Sequence, residues 1–395
     1  MKTLFVDPAS YSPVYDYDAC ADLNRVGVEC LLATCRSVHH ADSPTSDEAP
    51  TRYMYFNGPS RLPWVVHRRR LRRAFRAAEY LLDSGHMVRT AQREGFDVVH
   101  FNWTAITAVD VRSMRKLQRM GKRVLYTAHN PFPHDRPEKS ILKMAAIYTE
   151  ADAIITLTQY VKDNILRWFP SLASDRIHIV PHFSGERFYA NLSPNESLRS
   201  DLSRRFAGKR VFAALGNVRP YKGLPDLLRA YARVKRQRQN AALLVVGKVW
   251  PDAADEVLQT LEEIGPCDDL VLVEQTVSHS DYLTYIDCAD VLVQPYRSAS
   301  QSGNTAFCYS KGKPLLSSRT GGLAEEVVEG ETGWTCEPGS PDDLADTMMK
   351  FFQPGVLEQL RDGCLCRAHE VYDGEKLARQ MRQAYEYAMG CGHPG

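Results

Sequence analysis

Short apolar runs recur along the chain, separated by stretches in which apolar residues return every three or four positions. Runs of this kind lie at residues 3–6, 29–33, 97–101, 123–126, 153–157 and 177–180. They are largely apolar rather than alternating, the pattern of strands buried on both faces. Helix-like periodicity fills several intervals, such as 17–25 and 109–119. A second series follows the polar stretch 184–203, with strands predicted at 210–215, 242–246, 270–273, 291–294 and 314–317 and helices at 225–236, 253–264 and 280–288. Strands alternating with helices predict parallel sheets covered on both faces.

The fold class expected is therefore α/β, with two Rossmann-like doubly wound domains facing across a cleft. The boundaries predicted are residues 1–183, residues 184–370, and a C-terminal helical segment, 371–395, that can pack back on the N-terminal domain. A length of 395 residues agrees, because single cores stop growing well below that size.

Composition changes this picture little: 44% hydrophobic and 25% charged residues are ordinary for a globular protein, and a net charge of +1 names no partner for the whole chain. Ten cysteines occur without a CxxC pair, which suits reduced thiols and argues against a zinc site. In MKTLFVDPASYSP, Asp7 and Pro8 interrupt the apolar run that a signal peptide would need. No segment approaches the roughly 18 apolar residues of a membrane span. A cytoplasmic protein, at most peripheral on the inner face of a membrane, is the expectation.

Local charge says more. RLPWVVHRRRLRRAFR carries seven arginines from Arg61 to Arg76 and no acid, interleaved with Trp64, Val65, Val66, Leu71 and Phe75. Such a segment can lie on an anionic membrane surface; a solvated helix with one apolar edge on its own domain fits equally. No nucleic-acid partner is expected.

GNVRPYKGL joins the strand at 210–215 to the helix at 225–236. In open parallel sheets ligands bind beyond the carboxyl ends of strands, so Gly216 permits close backbone approach while Arg219 and Lys222 offer charge to an anion. A tight turn with two solvated cations is the plain alternative. QPYRSASQSGNTAFCYSKGKPLL leaves the same end of the same sheet, and Gln301, Ser302, Gly303 and Asn304 precede a helix near 306–311 whose first N–H groups can receive an anion. Simple N-capping explains it as well. Neither a GxGxxG after the first strand nor a GxxxxGK[ST] occurs, which argues against a common dehydrogenase or a P-loop enzyme.

In order, GNVRPYKGL, LLVVGK, VEQTVSHSDYLTYIDCADVLVQPY and QSGNTAFCYSKGKPLLSSRTGGLAEEVVEGETGW resemble the donor domain of GT-B retaining glycosyltransferases of the family 4 type, and YTAHN and IVPHF support the likeness in the N-terminal half. The resemblance implies transfer of a sugar from a UDP- or GDP-sugar to an acceptor hydroxyl, with retention, without a metal and with no cofactor beyond the nucleotide-sugar co-substrate. It implies catalytic roles for His129, Arg219 and Lys222. Donor contacts fall to Gly216, Asn217, Lys248, Val277 and the 301–304 loop. On the acceptor side it points to Tyr11, Tyr15, Asp16, His134 and Asp135, with a glycan or lipid-linked acceptor in polysaccharide or glycolipid assembly.

Two departures stand out. The arginine that usually follows the first glycine is replaced by Asn217, and the family's paired glutamates are replaced by Ala299 and Phe307. A soluble transferase of small metabolites, sugar phosphates or aglycones, and a nucleotide-sugar-binding protein without catalysis, are the alternatives. Asp16 and Asp18 are the bases that an inverting enzyme would need.

Overall fold

The computed structural model describes residues 1–36, 46–62, 68–132 and 137–390. The chain divides into two units, Met1–Phe188 with Asp373–Gly395, and Tyr189–Tyr372. Each is built on a parallel sheet.

In unit 1 the strands are β1 (Lys2–Asp7), β2 (Glu29–Cys35), β3 (Thr51–Tyr55), β4 (Val98–Phe101), β5 (Arg123–Ala128), β6 (Ala153–Thr156) and β7 (Ile177–Ile179). Their order, β3-β2-β1-β4-β5-β6-β7, reverses direction between β1 and β4. That is where a doubly wound sheet opens a crevice at its carboxyl edge. Its last helix is Gly374–Gly390, which buries Leu377, Met381, Ala384, Tyr385 and Ala388, a stripe of three- and four-residue spacing, against the helix Pro13–Arg25 and strands β5 and β6.

In unit 2 the strands are β8 (Arg210–Leu215), β9 (Ala241–Val246), β10 (Leu270–Val273), β11 (Val291–Gln294), β12 (Leu315–Ser318) and β13 (Gly333–Cys336). The order β10-β9-β8-β11-β12-β13 places the switch between β8 and β11. Strand β9 is buried at every position, as its unbroken AALLVV requires. The helix Leu224–Gln237 covers it with Leu224, Leu227, Leu228, Tyr231 and Val234.

Two edge strands, β3 and β13, were not predicted, and the helix predicted near 306–311 lies at Asn304–Ser310. The arginine-rich stretch enters the helix Arg69–Arg93, whose outer positions include the exposed Leu71, Leu81 and Leu82. Trp64, Val65 and Val66 lie outside the described residues. Two of the seven arginines have internal work: Arg61 donates to the Phe56 and Arg36 carbonyls at 2.6 Å each, and Arg76 lies 4.1 Å from the Phe56 ring.

Candidate functional site

Unit 2 builds its site from the loops that follow β8, β9 and β11. Beyond Leu215 the backbone remains stitched to its neighbour: Gly216 N–H donates to Val246 O at 2.8 Å, Val218 N–H to Lys248 O at 2.9 Å and Trp250 N–H to Val218 O at 3.1 Å. The two loops touch so closely that a Cβ on Gly247 would sit 2.0 Å from Gly216 O. Gly223, at φ +66°, ends the short turn Pro220–Lys222 and opens the helix Leu224–Gln237; a Cβ there would lie 1.9 Å from Pro295 O. Only glycine tolerates both demands.

Arg297 locks these loops together. Its guanidinium meets Asp226 at 2.8 and 2.9 Å and Glu256 at 2.7 and 3.2 Å, and its N–H donates to Tyr221 O at 2.7 Å. Lys222 is thereby presented on a fixed frame. Its Nζ lies 3.8 Å from the Tyr296 ring centroid, and among the described residues it has no carboxylate partner. Beneath it, Gly216, Asn217, Lys222, Pro295 and Tyr296 line a cavity of ≈ 20 Å³, room for about one water.

Arg219 is differently placed. It pairs with Asp252 at 2.9 Å and stacks on Trp250 at 4.1 Å, while Lys248 Nζ lies 5.7 Å from the same indole. Arg219 and Lys248 thus form a second cationic group around Trp250, next to the Lys222 group in sequence but on other partners.

In the 301–304 loop the expectation of free N–H groups needs correction. Ser302 N–H donates to Glu326 Oε1 at 3.2 Å, and Asn304 N–H approaches Ser302 Oγ at 3.5 Å. Glu326 is buried and also hydrogen-bonds to Thr305 Oγ1, so an internal carboxyl already occupies part of the anion position. Burial pushes that carboxyl up to about 8, and the nearby Lys222 charge offsets part of the rise. Asn304 is spent on structure, donating to Leu215 O at 3.1 Å and accepting from Tyr282 at 2.7 Å. Gln301 carries a buried Oε1 with no partner among the described residues. Val277 is half-buried between β10 and the helix His279–Cys288. Phe307, at the position where the resemblance implied a glutamate, stacks on Tyr189 at 4.3 Å.

Unit 1 collects a separate group at the carboxyl ends of β1, β4 and β5. His129 Nε2 lies 2.9 Å from Asn102 Oδ1, and Asn102 Nδ2 donates to Asp16 Oδ1 at 2.7 Å. The Trp103 ring lies flat on His129 with centroids 4.2 Å apart, and its Nε1–H donates to Ser12 Oγ at 2.6 Å. Tyr15 packs edge-on against both His129 and His182, while Tyr11 is exposed and tilted against Trp103 at 5.3 Å. Burial, followed by the neighbouring His182 and His100, holds His129 well below its ordinary value; burial alone brings His182 down to about 4 and His100 to about 3. Asp16 is not presented to solvent: it is 1% exposed, and burial followed by the Asp7 charge pushes its carboxyl well up.

Thus His129, Tyr15 and Asp16 come together, and Asn102, Trp103, His182, Asp7 and Ser12 join them. His134 and Asp135 lie outside the described residues. Among the described residues no group of three or more His, Cys, Asp or Glu could hold a metal ion, and no helix is long and apolar enough to cross a membrane.

Comparison with known proteins follows the same division. The family model described as Glycosyltransferase Family 4 matches residues 15–183, and that described as Glycosyl transferases group 1 matches residues 209–353. The lipopolysaccharide 1,2-N-acetylglucosaminetransferase of Salmonella typhimurium is 25% identical over 309 residues, covering 74% of this chain and 73% of that protein. The D-inositol 3-phosphate glycosyltransferase of Corynebacterium glutamicum is 24% identical over 284 residues, 67% of this chain and 66% of that protein. Among solved structures, Anabaena HepE in complex with UDP-glucose matches with a TM-score of 0.73 at 14% identity, over 98% of this chain and 99% of that one. The chain belongs to the family 4 and group 1 glycosyltransferases and carries their GT-B fold.

Proposed function

We propose that the protein moves a sugar from a nucleoside diphosphate sugar to an acceptor hydroxyl with retention of configuration, without a metal or further cofactor. The observation that carries this reading is Lys222: an ammonium with no carboxylate partner among the described residues, held over Tyr296 at the switch point of unit 2. Negative charge builds on the leaving diphosphate as the anomeric C–O bond breaks, and a fixed cation there stabilises it. Arg219 and Lys248 supply further positive charge once Arg219 exchanges Asp252 for phosphate. UDP-glucose in the Anabaena structure supports a uridine nucleotide.

Retention needs no dedicated base, since the acceptor proton passes to a departing phosphate oxygen as the new C–O bond forms on the same face. Unit 1 supports this. Asp16 is buried on Asn102, Asp18 accepts the Phe188 N–H at 2.9 Å, and His129 is a weak base. A lipid-linked acceptor at an anionic membrane surface fits the exposed Leu71, Leu81 and Leu82 beside the exposed Arg70 and Arg73. It also fits the lipopolysaccharide relative; the inositol phosphate relative favours a small soluble acceptor instead.

The test is thermal stabilisation by UDP, GDP and ADP and their sugars, because a ligand that binds only the native state raises its melting point. One nucleotide class should stabilise the wild type and fail with Lys222→Ala; no shift from any of them sinks the reading. Anomeric coupling in the product then reports retention, and sedimentation with anionic vesicles decides the membrane question.

A further inference from the structure

The group in unit 1 has a direction built into it. Asp7 accepts the N–H groups of Ala9 at 3.2 Å and Ser12 at 3.0 Å, and lies beside the buried Asp16. Burial and then the Asp7 charge push the Asp16 carboxyl well up. Asp16 Oδ1 is an acceptor, so Asn102 turns its Nδ2 to it, at 2.7 Å, which leaves the Asn102 Oδ1 for His129, at 2.9 Å. An amide oxygen only accepts, so the proton of His129 sits on Nε2.

The ring is held as firmly as the proton. Trp103 covers it with planes 4° apart and is itself tied to Ser12, whose N–H is held by Asp7. Among the described residues, the other groups around the ring are Tyr15 on the helix Pro13–Arg25, His100 on β4 and His182 after β7. None of them offers a carboxylate to stabilise an imidazolium.

Resting on the function proposed above, we infer that Asn102 is a positioning residue: fixed by Asp16, it holds His129 as the neutral Nε2–H tautomer, whose Nδ1 accepts a hydrogen bond from a hydroxyl of a sugar substrate. His129 then serves recognition of a hydroxyl and does not act as a counter-charge to the diphosphate.

The experiment is a long-range proton–nitrogen correlation spectrum of the full chain labelled with ¹⁵N-histidine, with His129 assigned by its loss in His129→Gln. Free wild-type protein should show the Nε2–H pattern, unchanged between about pH 5.5 and 8, where an ordinary histidine titrates. In Asn102→Ala the two nitrogens should average, with kcat/KM for the sugar substrate falling roughly tenfold, about the worth of one hydrogen bond. Asn102→Asp should restore titration of His129 within that range. An Nδ1–H pattern or an imidazolium titrating there in the wild type overturns the inference, as does an unaltered tautomer in Asn102→Ala. The wild-type spectrum needs no substrate and no variant fold. UDP stabilisation of the same sample is read separately, so failure of the donor reading is distinguishable from failure of this one.

Discussion

Lys222→Ala probes the donor site at its least encumbered charge. In the free protein the ammonium rests on Tyr296 at 3.8 Å, a contact of about 0.5–1 kcal/mol at a partly exposed position. That contribution appears in fold stability and largely cancels from affinity if the ammonium stays over the ring when phosphate arrives. The affinity change comes from the charge-assisted hydrogen bond to the diphosphate, about 1.5–3 kcal/mol, or roughly 10- to 150-fold in Kd. Glu326 adds little, since its carboxyl is already pushed up to about 8 and loses only an attractive neighbour. Titration calorimetry with UDP and with uridine separates the terms. UDP should weaken by that factor, uridine should be unaffected, and Lys222→Arg should recover part of the loss. A UDP affinity within about twofold of wild type, or an equal loss for uridine, refutes the assignment.

Glu326 makes stability depend on pH. Its folded value, about 8, lies above the ordinary 4.5, so the folded chain keeps a proton that the unfolded chain has released, and stability falls as pH rises from about 4.5 through 8. Glu326→Gln should flatten that part of the urea midpoint curve; an unchanged slope places the effect elsewhere. Arg297→Ala strands the buried Asp226 carboxylate and should cost on the order of 2 kcal/mol in urea unfolding, with Arg297→Lys recovering only part because it cannot fork to two carboxylates. A lysine variant as stable as wild type would count against the clamp. Gly223→Ala and Gly121→Ala both place a side chain at positive φ, +66° and +75°, but only the former meets a carbonyl, at 1.9 Å, whereas nothing lies within 4 Å of the latter. Gly121→Ala should cost about 1 kcal/mol and Gly223→Ala clearly more; equal melting points would deny the close approach to Pro295.

The inner strands were legible because burial on both faces leaves an unbroken apolar run: β8 and β11 begin and end where the pattern placed them. The edge strand β10, LVLV, was found by its apolar run as well, but the edge strands β3 and β13 lack that signal. In β3, TRYMY, only the last two residues are buried, and β13 is four residues opening on a glycine. The glycine-flanked loop was readable because its chemistry is local, with Gly216, Lys222 and Gly223 within eight residues. What escaped was nonlocal: Asn102 and Asp16 stand 86 positions apart, and Arg297 meets Asp226 across 71. Glu326 lay inside a quoted motif, yet nothing in GGLAEEVV distinguishes the buried Glu326 from the exposed Glu325 before the chain is folded.

The helix Gly374–Gly390 belongs to unit 1 although all of unit 2 precedes it in the chain. Biosynthesis therefore runs against completion of unit 1. Strand β1 leaves the ribosome long before that helix and joins a core that stays open until Tyr385 arrives to hydrogen-bond with His100 at 2.8 Å. Unit 2, uninterrupted from Tyr189 to Tyr372, can fold in the meantime. The nascent chain thus carries a finished unit 2 and an unfinished unit 1, and a ribosome stalled after residue 372 would release a half that holds its own fold and one that exposes its apolar face to chaperones.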